Sequence, residues 1–265
     1  MEKQIISYGQ HFLINNDYIQ KFIRSAKLNK TDIVLEIGSG TGIITKELVK
    51  HAAFVNSVEI DTSLVNALNQ ISKQYSNVNF IFDNCLNFEY PPFNKLVSSL
   101  PYQITEPFVE KIKKYNFKFA VLIVGDTFAK NATGNLNDIN KLSLLTHCYF
   151  EGQYLFQIEP AAFCPAPKTY SACIKLTPAT KESLKMEYKI MRELFEQRDK
   201  KVKNALIEAI IRTTLSETTK RMAKEIINQY FVNSKLDEYL DAYDNPKYAE
   251  LFKEILIYVK SLPVT

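Results

Sequence analysis

Residues 97–105 read V-S-S-L-P-Y-Q-I-T. Ser99-Leu100-Pro101-Tyr102 closes an apolar run with groups suited to holding an amine on a flat ring. Proline fixes its own φ and drives Leu100 toward an extended conformation. The Ser99 hydroxyl and the Leu100 carbonyl then offer two acceptors to one spot, and Tyr102 offers an aromatic face for a base to stack on. An exocyclic ring amine is a poor nucleophile because its lone pair is delocalised. Accepting its N–H hydrogens pulls the nitrogen toward tetrahedral geometry and frees that pair. Positioning and electrostatics then carry most of the work.

A second stretch, E-I-G-S-G-T-G, holds Gly38, Gly40 and Gly42, three of the chain's seven glycines. Glycines between a strand and a helix let the backbone approach a ligand closely at the strand's carboxyl end. About 20 positions on, Glu59 ends the next apolar run, where a carboxylate suits two adjacent ribose hydroxyls. The pair is compatible with NAD, FAD or S-adenosylmethionine, although the NAD pattern asks for a third glycine where Ile43 stands. The Ser-Leu-Pro-Tyr clamp decides for S-adenosylmethionine. Attack of an amine on its sulfonium methyl leaves a neutral thioether, so no strong base is required.

These residues need a scaffold that brings strand ends together. Strands are expected at 32–37 (DIVLEI), 54–60 (FVNSVEI), 77–82 (NVNFIF), 95–99 (KLVSS) and 118–124 (KFAVLIV). Helices are expected over IITKELVKH, from the Asp61-Thr62-Ser63 cap to about residue 74, and over 105–115 and 138–149. The runs 152–159 and 170–177 flank a proline-rich turn and read as an antiparallel hairpin. The alternation predicts a doubly wound α/β sheet with that hairpin at one edge. Beyond Pro178 only helical patterns occur, with Leu194, Val202, Leu206, Ala209 and Ile210 at helical spacing. The expected organisation is an α/β domain over 1–178 and a small all-α domain over 179–265.

The composition, 46% hydrophobic and 23% charged in 265 residues, is globular. No leader-like segment and no apolar stretch of about 18 residues occurs, so an intracellular, cytoplasmic protein without a membrane partner is expected. Cys85, Cys148, Cys164 and Cys173 lie far apart without a C-x-x-C and are expected to be buried small hydrophobes, with no metal site. His51 and His147 lack the neighbours of a catalytic pair. A net charge of +4 permits a polyanionic partner. Arg198, Lys200, Lys201 and Lys203 form a basic cluster suited to phosphates, interrupted by Asp199.

Taken in order, Gly9-Gln10-His11-Phe12-Leu13, Glu36-Ile37-Gly38-Ser39-Gly40-Thr41-Gly42, Glu59-Ile60-Asp61, Ser99-Leu100-Pro101-Tyr102 and Phe163-Cys164-Pro165-Ala166-Pro167-Lys168 with Ser171-Ala172 resemble the rRNA adenine N6-dimethyltransferases. These comprise the KsgA-type small-subunit enzymes and the related Erm-type enzymes. The likeness spans about residues 8–178 well and the tail loosely. It implies a Rossmann-like class I methyltransferase fold, S-adenosylmethionine as cofactor, and small-subunit rRNA or a pre-ribosomal particle as the partner of a monomer. His11 and Leu13 would meet the methionine part of the cofactor, Gly38 and Gly40 would lie beneath it, and Glu59 would hold its ribose. Asn84, with Asp83 before it, falls where the family has an Asp for the cofactor adenine. Ser99 falls where KsgA-type enzymes usually have Asn. Phe163 would frame the target-base pocket, and the helical tail would bind RNA. FCPAPKTYSA and that tail favour the KsgA type. An Erm-type enzyme acting on large-subunit rRNA is one rival, and a binding protein that keeps the fold after losing catalysis is another.

Overall fold

The computed structural model describes residues 10–134, 139–180, 182–214 and 218–262. These divide into two compact units, one holding residues up to 134 together with 151–178, the other 139–150 together with the described residues beyond 178. A boundary at 178 puts 139–150 in the first domain. The structure groups this segment with the helical tail instead, because helix α6, described below, packs among helices.

The first unit is built on strands β2 (Ile33–Ile37), β3 (Phe54–Glu59), β4 (Val78–Phe82), β5 (Lys95–Ser99), β6 (Phe119–Gly125), β7 (Phe150–Ile158) and β9 (Ser171–Pro178). Their order across the sheet is β4-β3-β2-β5-β6-β9-β7. The first five run parallel, and β9 pairs antiparallel with β6. Val34, Leu35, Leu96, Val97, Val121 and Leu122 are fully buried, which is why these runs are continuously apolar rather than alternating. Having laid down β2, the chain moves outward to β3 and β4 and then returns to lay β5 on the other side of β2. That reversal opens a crevice at the carboxyl ends of β2 and β5.

Helices α2 (Ile43–His51), α3 (Val65–Gln74) and α4 (Thr105–Ile112) follow their strands as expected, though α4 stops short of residue 115. Two helices were not anticipated. The first, α1 (Asn16–Ser25), is capped by Asn15, whose side chain accepts from the Asp17 and Tyr18 amides, and it buries Ile19, Phe22 and Ile23. The second, α5 (Asp126–Thr133), is eight residues long. A two-stranded ladder, β1 (Phe12–Leu13) with β8 (Phe163–Cys164), also went unread, because two residues carry no periodicity. Cys85, Cys148 and Cys173 are buried, whereas Cys164, expected to be buried, is exposed.

The second unit contains α6 (Lys141–Tyr149), α7 (Met186–Phe195), α8 (Val202–Thr213), α9 (Lys220–Tyr230) and α10 (Asn245–Ser261). Leu194, Val202, Leu206, Ala209 and Ile210 are fully buried with Tyr248, Leu251 and Ile255.

At the amino-terminal end of β5, the Lys95 ammonium lies 2.8 Å from Asp32 and 2.7 Å from the Lys27 carbonyl. It also sits 4.9 Å from the Phe119 ring centroid. The pair ties the end of α1 to the sheet, and neither side chain reaches solvent appreciably. Lys95→Met leaves the buried Asp32 carboxylate only the Asn29 amide and the exposed Lys118 at 3.7 Å, which should cost about 2–4 kcal/mol, somewhat less than a wholly unpaired buried charge. Urea unfolding measures it, and a loss below about 1 kcal/mol would show that the pair is dispensable.

Candidate active site

The crevice is lined by Gln10, His11, Phe12 and Leu13, by the 37–41 loop, by Glu59, by Asp83-Asn84-Cys85, by Ser99-Leu100-Pro101-Tyr102 and by Phe163. The strand-end motifs of the sequence therefore converge on one cleft.

Gly38 and Gly40 both have positive φ, 78° and 53°, which only glycine adopts without strain. Their surroundings differ. A Cβ on Gly38 would meet nothing closer than the Ser99 carbonyl at 3.8 Å, so the space over this residue opens into the cleft. A Cβ on Gly40 would come within 2.6 Å of the Phe12 ring. Gly40 thus admits Phe12, a packing role the sequence did not disclose.

Glu59 is buried, and its two carboxylate oxygens are used in different loops. The Gly40 amide donates to Oε2 at 2.7 Å and the Asp61 amide to Oε1 at 2.9 Å. Oε2 keeps a lone pair beyond the Gly40 bond, whereas Oε1 is shared between the Asp61 amide and Gln10 Nε2. Burial pushes the carboxyl above its ordinary range, against the pull of those amides; the charge of Asp61 adds to the rise. Beside it, Gln10 directs Nε2 toward Glu59 Oε1 at 3.5 Å, and its own Oε1 is buried with no hydrogen-bond partner among the described residues. A cleft holding such a buried acceptor and a lone pair on a buried carboxylate fits a ligand that brings hydroxyl or amine donors.

Successive serines at the end of β5 part ways. Ser98 is fully buried and donates to the Ile37 carbonyl at 2.5 Å. Ser99 is half-buried and lines the cleft. This is the alternation of side chains along a strand. The Leu100 amide donates to the Ile123 carbonyl at 3.0 Å, which holds the turn to β6. The Tyr102 ring lies across Gly125, and its hydroxyl pairs with the Ser171 hydroxyl at 2.5 Å. His11 stands 6.2 Å away, ring centroid to centroid. Its Nδ1 lies 2.8 Å from the Pro165 carbonyl, so this nitrogen carries the proton and donates. Leu13 faces Phe163 across the short ladder. Gly9 lies outside the described residues.

In the loop after β4, the Asp83 side chain accepts from the Asn84 amide at 2.6 Å, and the Asn84 Oδ1 accepts from the Leu86 amide at 3.0 Å. One acceptor of Asn84 is thus already engaged in its own turn.

The basic cluster lies apart in sequence and is less uniform than its composition suggests. Lys200 sits 2.8 Å from both oxygens of Glu208, and Arg198 is 3.8 Å from Asp241. Lys201 and Lys203 are exposed. The ion pairs blunt two of the four cations expected to meet phosphate. Among the described residues, no group of His, Cys, Asp and Glu is placed to hold a metal ion, and no helix is long and apolar enough to cross a membrane.

Residues 1–244 match the family model described as ribosomal RNA adenine dimethylase. The chain is 39% identical over 204 residues to a protein of Pyrococcus abyssi named "Probable ribosomal RNA small subunit methyltransferase A", covering 76% of this chain and 75% of that one. It is 33% identical over 263 residues to the protein of the same name from Methanococcus aeolicus, covering 96% and 94%. Among solved structures, a dimethyladenosine transferase from Plasmodium falciparum superposes with TM-score 0.65 at 21% identity, over 94% of this chain and 98% of that one. The 23S rRNA methyltransferase ErmE superposes with TM-score 0.62 at 23% identity, over 92% and 99%. These two likenesses establish a shared Rossmann-like methyltransferase fold.

Beneath the glycine loop, Glu36 is buried and accepts from Thr45 at 2.6 Å and Ser57 at 2.5 Å, while Ser39 and Ser57 pair at 2.6 Å. Burial pushes its carboxyl up to about 8, opposed by the two hydroxyls and assisted by Glu59. Between the ordinary carboxyl range and about 8, the folded chain holds a proton that the unfolded chain releases, so stability falls as pH rises through that window. Glu36→Gln removes this term. Thermal melts from about pH 5 to about pH 9 should fall more steeply for wild type than for the variant, and parallel profiles would contradict the assignment.

Proposed function

The chain belongs to the ribosomal RNA adenine dimethylase family, and from that premise we propose that it dimethylates N6 of adjacent adenosines in the loop of the 3′-terminal hairpin of small-subunit rRNA, using S-adenosylmethionine. The convergence of the Gly38 loop, Glu59 and Ser99-Leu100-Pro101-Tyr102 in one cleft carries this reading. The names of relatives matched over most of their length favour the small subunit over an Erm-type target.

The residues present fit the cofactor. The remaining lone pair on Glu59 Oε2 and the Gln10 Oε1 suit the donors of a ribose and an amino acid, and the open space over Gly38 suits close backbone approach. His11 and Leu13 would border the methionine portion, and Asp83 and Asn84 the adenine. When bound, S-adenosylmethionine would supply an electrophilic methyl: the N–C bond forms as the S–CH3 bond breaks to a neutral thioether, and the excess proton of the methylated amine passes to solvent. Ser99 Oγ accepts one N–H of the target amine and the Leu100 carbonyl accepts the other. Pro101 holds these acceptors in register, and Tyr102 stacks on the ring while Phe163 walls the pocket. An adenosine in a hairpin loop leaves its stack cheaply, which makes such a loop a suitable substrate. Serine is shorter than asparagine, so Ser99 reaches less far, and a monomethylated amine offers only one N–H. The second transfer is therefore the slower one.

Glu59→Ala should weaken S-adenosylmethionine binding by about 1.5–3 kcal/mol in calorimetry. Ser99→Ala should lower methyl transfer to immature small subunits while leaving cofactor affinity nearly intact. Mass spectrometry of the rRNA separates unmethylated, monomethyl and dimethyl adenosine. Equal rates for wild type and Ser99→Ala would remove Ser99 from the clamp. Wild type that binds RNA yet transfers nothing would favour a non-catalytic role in assembly.

For the helical tail, Lys201 and Lys203 are the cations proposed to reach phosphate. Replacing both with Ala should reduce the slope of log K against log salt by roughly 0.7–0.9 per lost contact. The same change at Lys200, already paired with Glu208, should have a smaller effect.

A further inference from the structure

The loop that follows β4 is held from the side by a cation on α4. Lys111 Nζ donates to the Cys85 carbonyl at 2.8 Å and also to the Phe88 carbonyl. It lies 4.3 Å from the Tyr90 ring centroid and 5.3 Å from that of Phe88. The Tyr90 hydroxyl donates to the same Cys85 carbonyl at 2.7 Å, so both lone pairs of that oxygen are engaged. The N–H of the same peptide unit, that of Leu86, donates to Asn84 Oδ1 at 3.0 Å. One peptide plane is therefore pinned at its oxygen by Lys111 and Tyr90 and at its nitrogen by Asn84. Its orientation sets that of the Asn84 amide, which lines the cleft.

We infer that Lys111 is a positioning residue for the cofactor's base, acting through the Cys85–Leu86 peptide to hold Asn84 and Asp83 at the rim of the cleft. The inference rests on the reading above that this rim meets the adenine of S-adenosylmethionine. It also explains how a loop without regular secondary structure is kept in one conformation. A half-buried ammonium between two carbonyls and two aromatic faces makes charge-assisted bonds that are stronger than neutral ones. Burial lowers the Lys111 pKa, while the charges of Glu89 and Asp83 favour the ammonium. Because α4 begins just after Tyr102, the same helix links the rim that would meet the cofactor's base to the clamp that would meet the target's.

The test uses the whole chain with Lys111→Met, Lys111→Arg and Tyr90→Phe. Calorimetry with S-adenosylmethionine should give a dissociation constant about tenfold higher for Lys111→Met. Lys111→Arg, which keeps the cation, should recover most of that loss. In the methylation assay the change should fall on KM for the cofactor, with kcat at saturation altered by less than about threefold. In ligand-free protein, hydrogen exchange at the Leu86 and Asn87 amides should quicken in Lys111→Met relative to wild type. A Lys111→Met protein that melts lower but binds S-adenosylmethionine as tightly as wild type overturns the inference, since the role is then structural alone. Wild type that binds no S-adenosylmethionine overturns the underlying functional reading instead. Should Lys111→Met fail to fold, Tyr90→Phe removes one hydrogen bond to the same carbonyl and is expected to raise the dissociation constant by about threefold. No change there overturns the inference equally.

Discussion

A buried carboxylate at the end of β3 organises the cleft. Glu59 takes one hydrogen bond from the loop after β2 and another from its own loop, adding a side-chain tie to the bonds that the Gly38 and Ser39 amides make to the Val58 carbonyl. The Gly40 amide would otherwise be an orphan donor in an apolar surround. The arrangement places partly satisfied acceptors inside the cleft, and these are what make it a binding site rather than a packed turn. Burial raises the carboxyl's affinity for a proton, and the amides that bind it are also what limit that rise.

Around this point the chain uses the alternation of a strand to divide labour. Ser98 spends its hydroxyl on the Ile37 carbonyl and locks β5 to β2. Its neighbour faces the other way and keeps its hydroxyl for the cleft. Tyr102 is held at its hydroxyl by Ser171 and lies across Gly125, so the orientation of its ring is decided by two residues of the sheet's far half. Ser98 and Tyr102 are thus anchored to groups that take no part in the proposed chemistry.

Much of this was legible in the sequence, for a physical reason. Buried parallel strands must be apolar and short, glycines must mark close approach, and an acid or an amine clamp must sit where strands end. Hence β2 to β6 and the motifs at their tips could be read from residue type and spacing. What escaped was either too short or too distant. The ladder of Phe12–Leu13 with Phe163–Cys164 has only two residues on each side. Helix α1 had its signal in the Asn15 cap and in Ile19, Phe22 and Ile23, while α5 has eight residues and no side-chain cap. The two ion pairs of the basic cluster depend on Glu208 and Asp241, brought near by helix packing that composition cannot report. The role of Gly40 in admitting Phe12 is of the same kind, since the contact joins residues far apart in the chain.

The short ladder has a bearing on the order in which the protein matures. Residues 10–13 form part of the cleft wall, yet their partners lie at 162–165, with Ile14 also bonded to the Ala162 carbonyl and His11 to that of Pro165. Residues 10–14 leave the ribosome before 162–165 and must wait about 150 residues for their counterpart, some ten seconds or more at ordinary rates of synthesis. Such a distant contact also closes a long loop, whose entropy is repaid only when both sides are present. The glycine loop and its acid can assemble from the first 60 residues, but the wall above them cannot. A nascent chain therefore carries an open half-site, and the pocket closes only after the strand-rich unit is nearly complete.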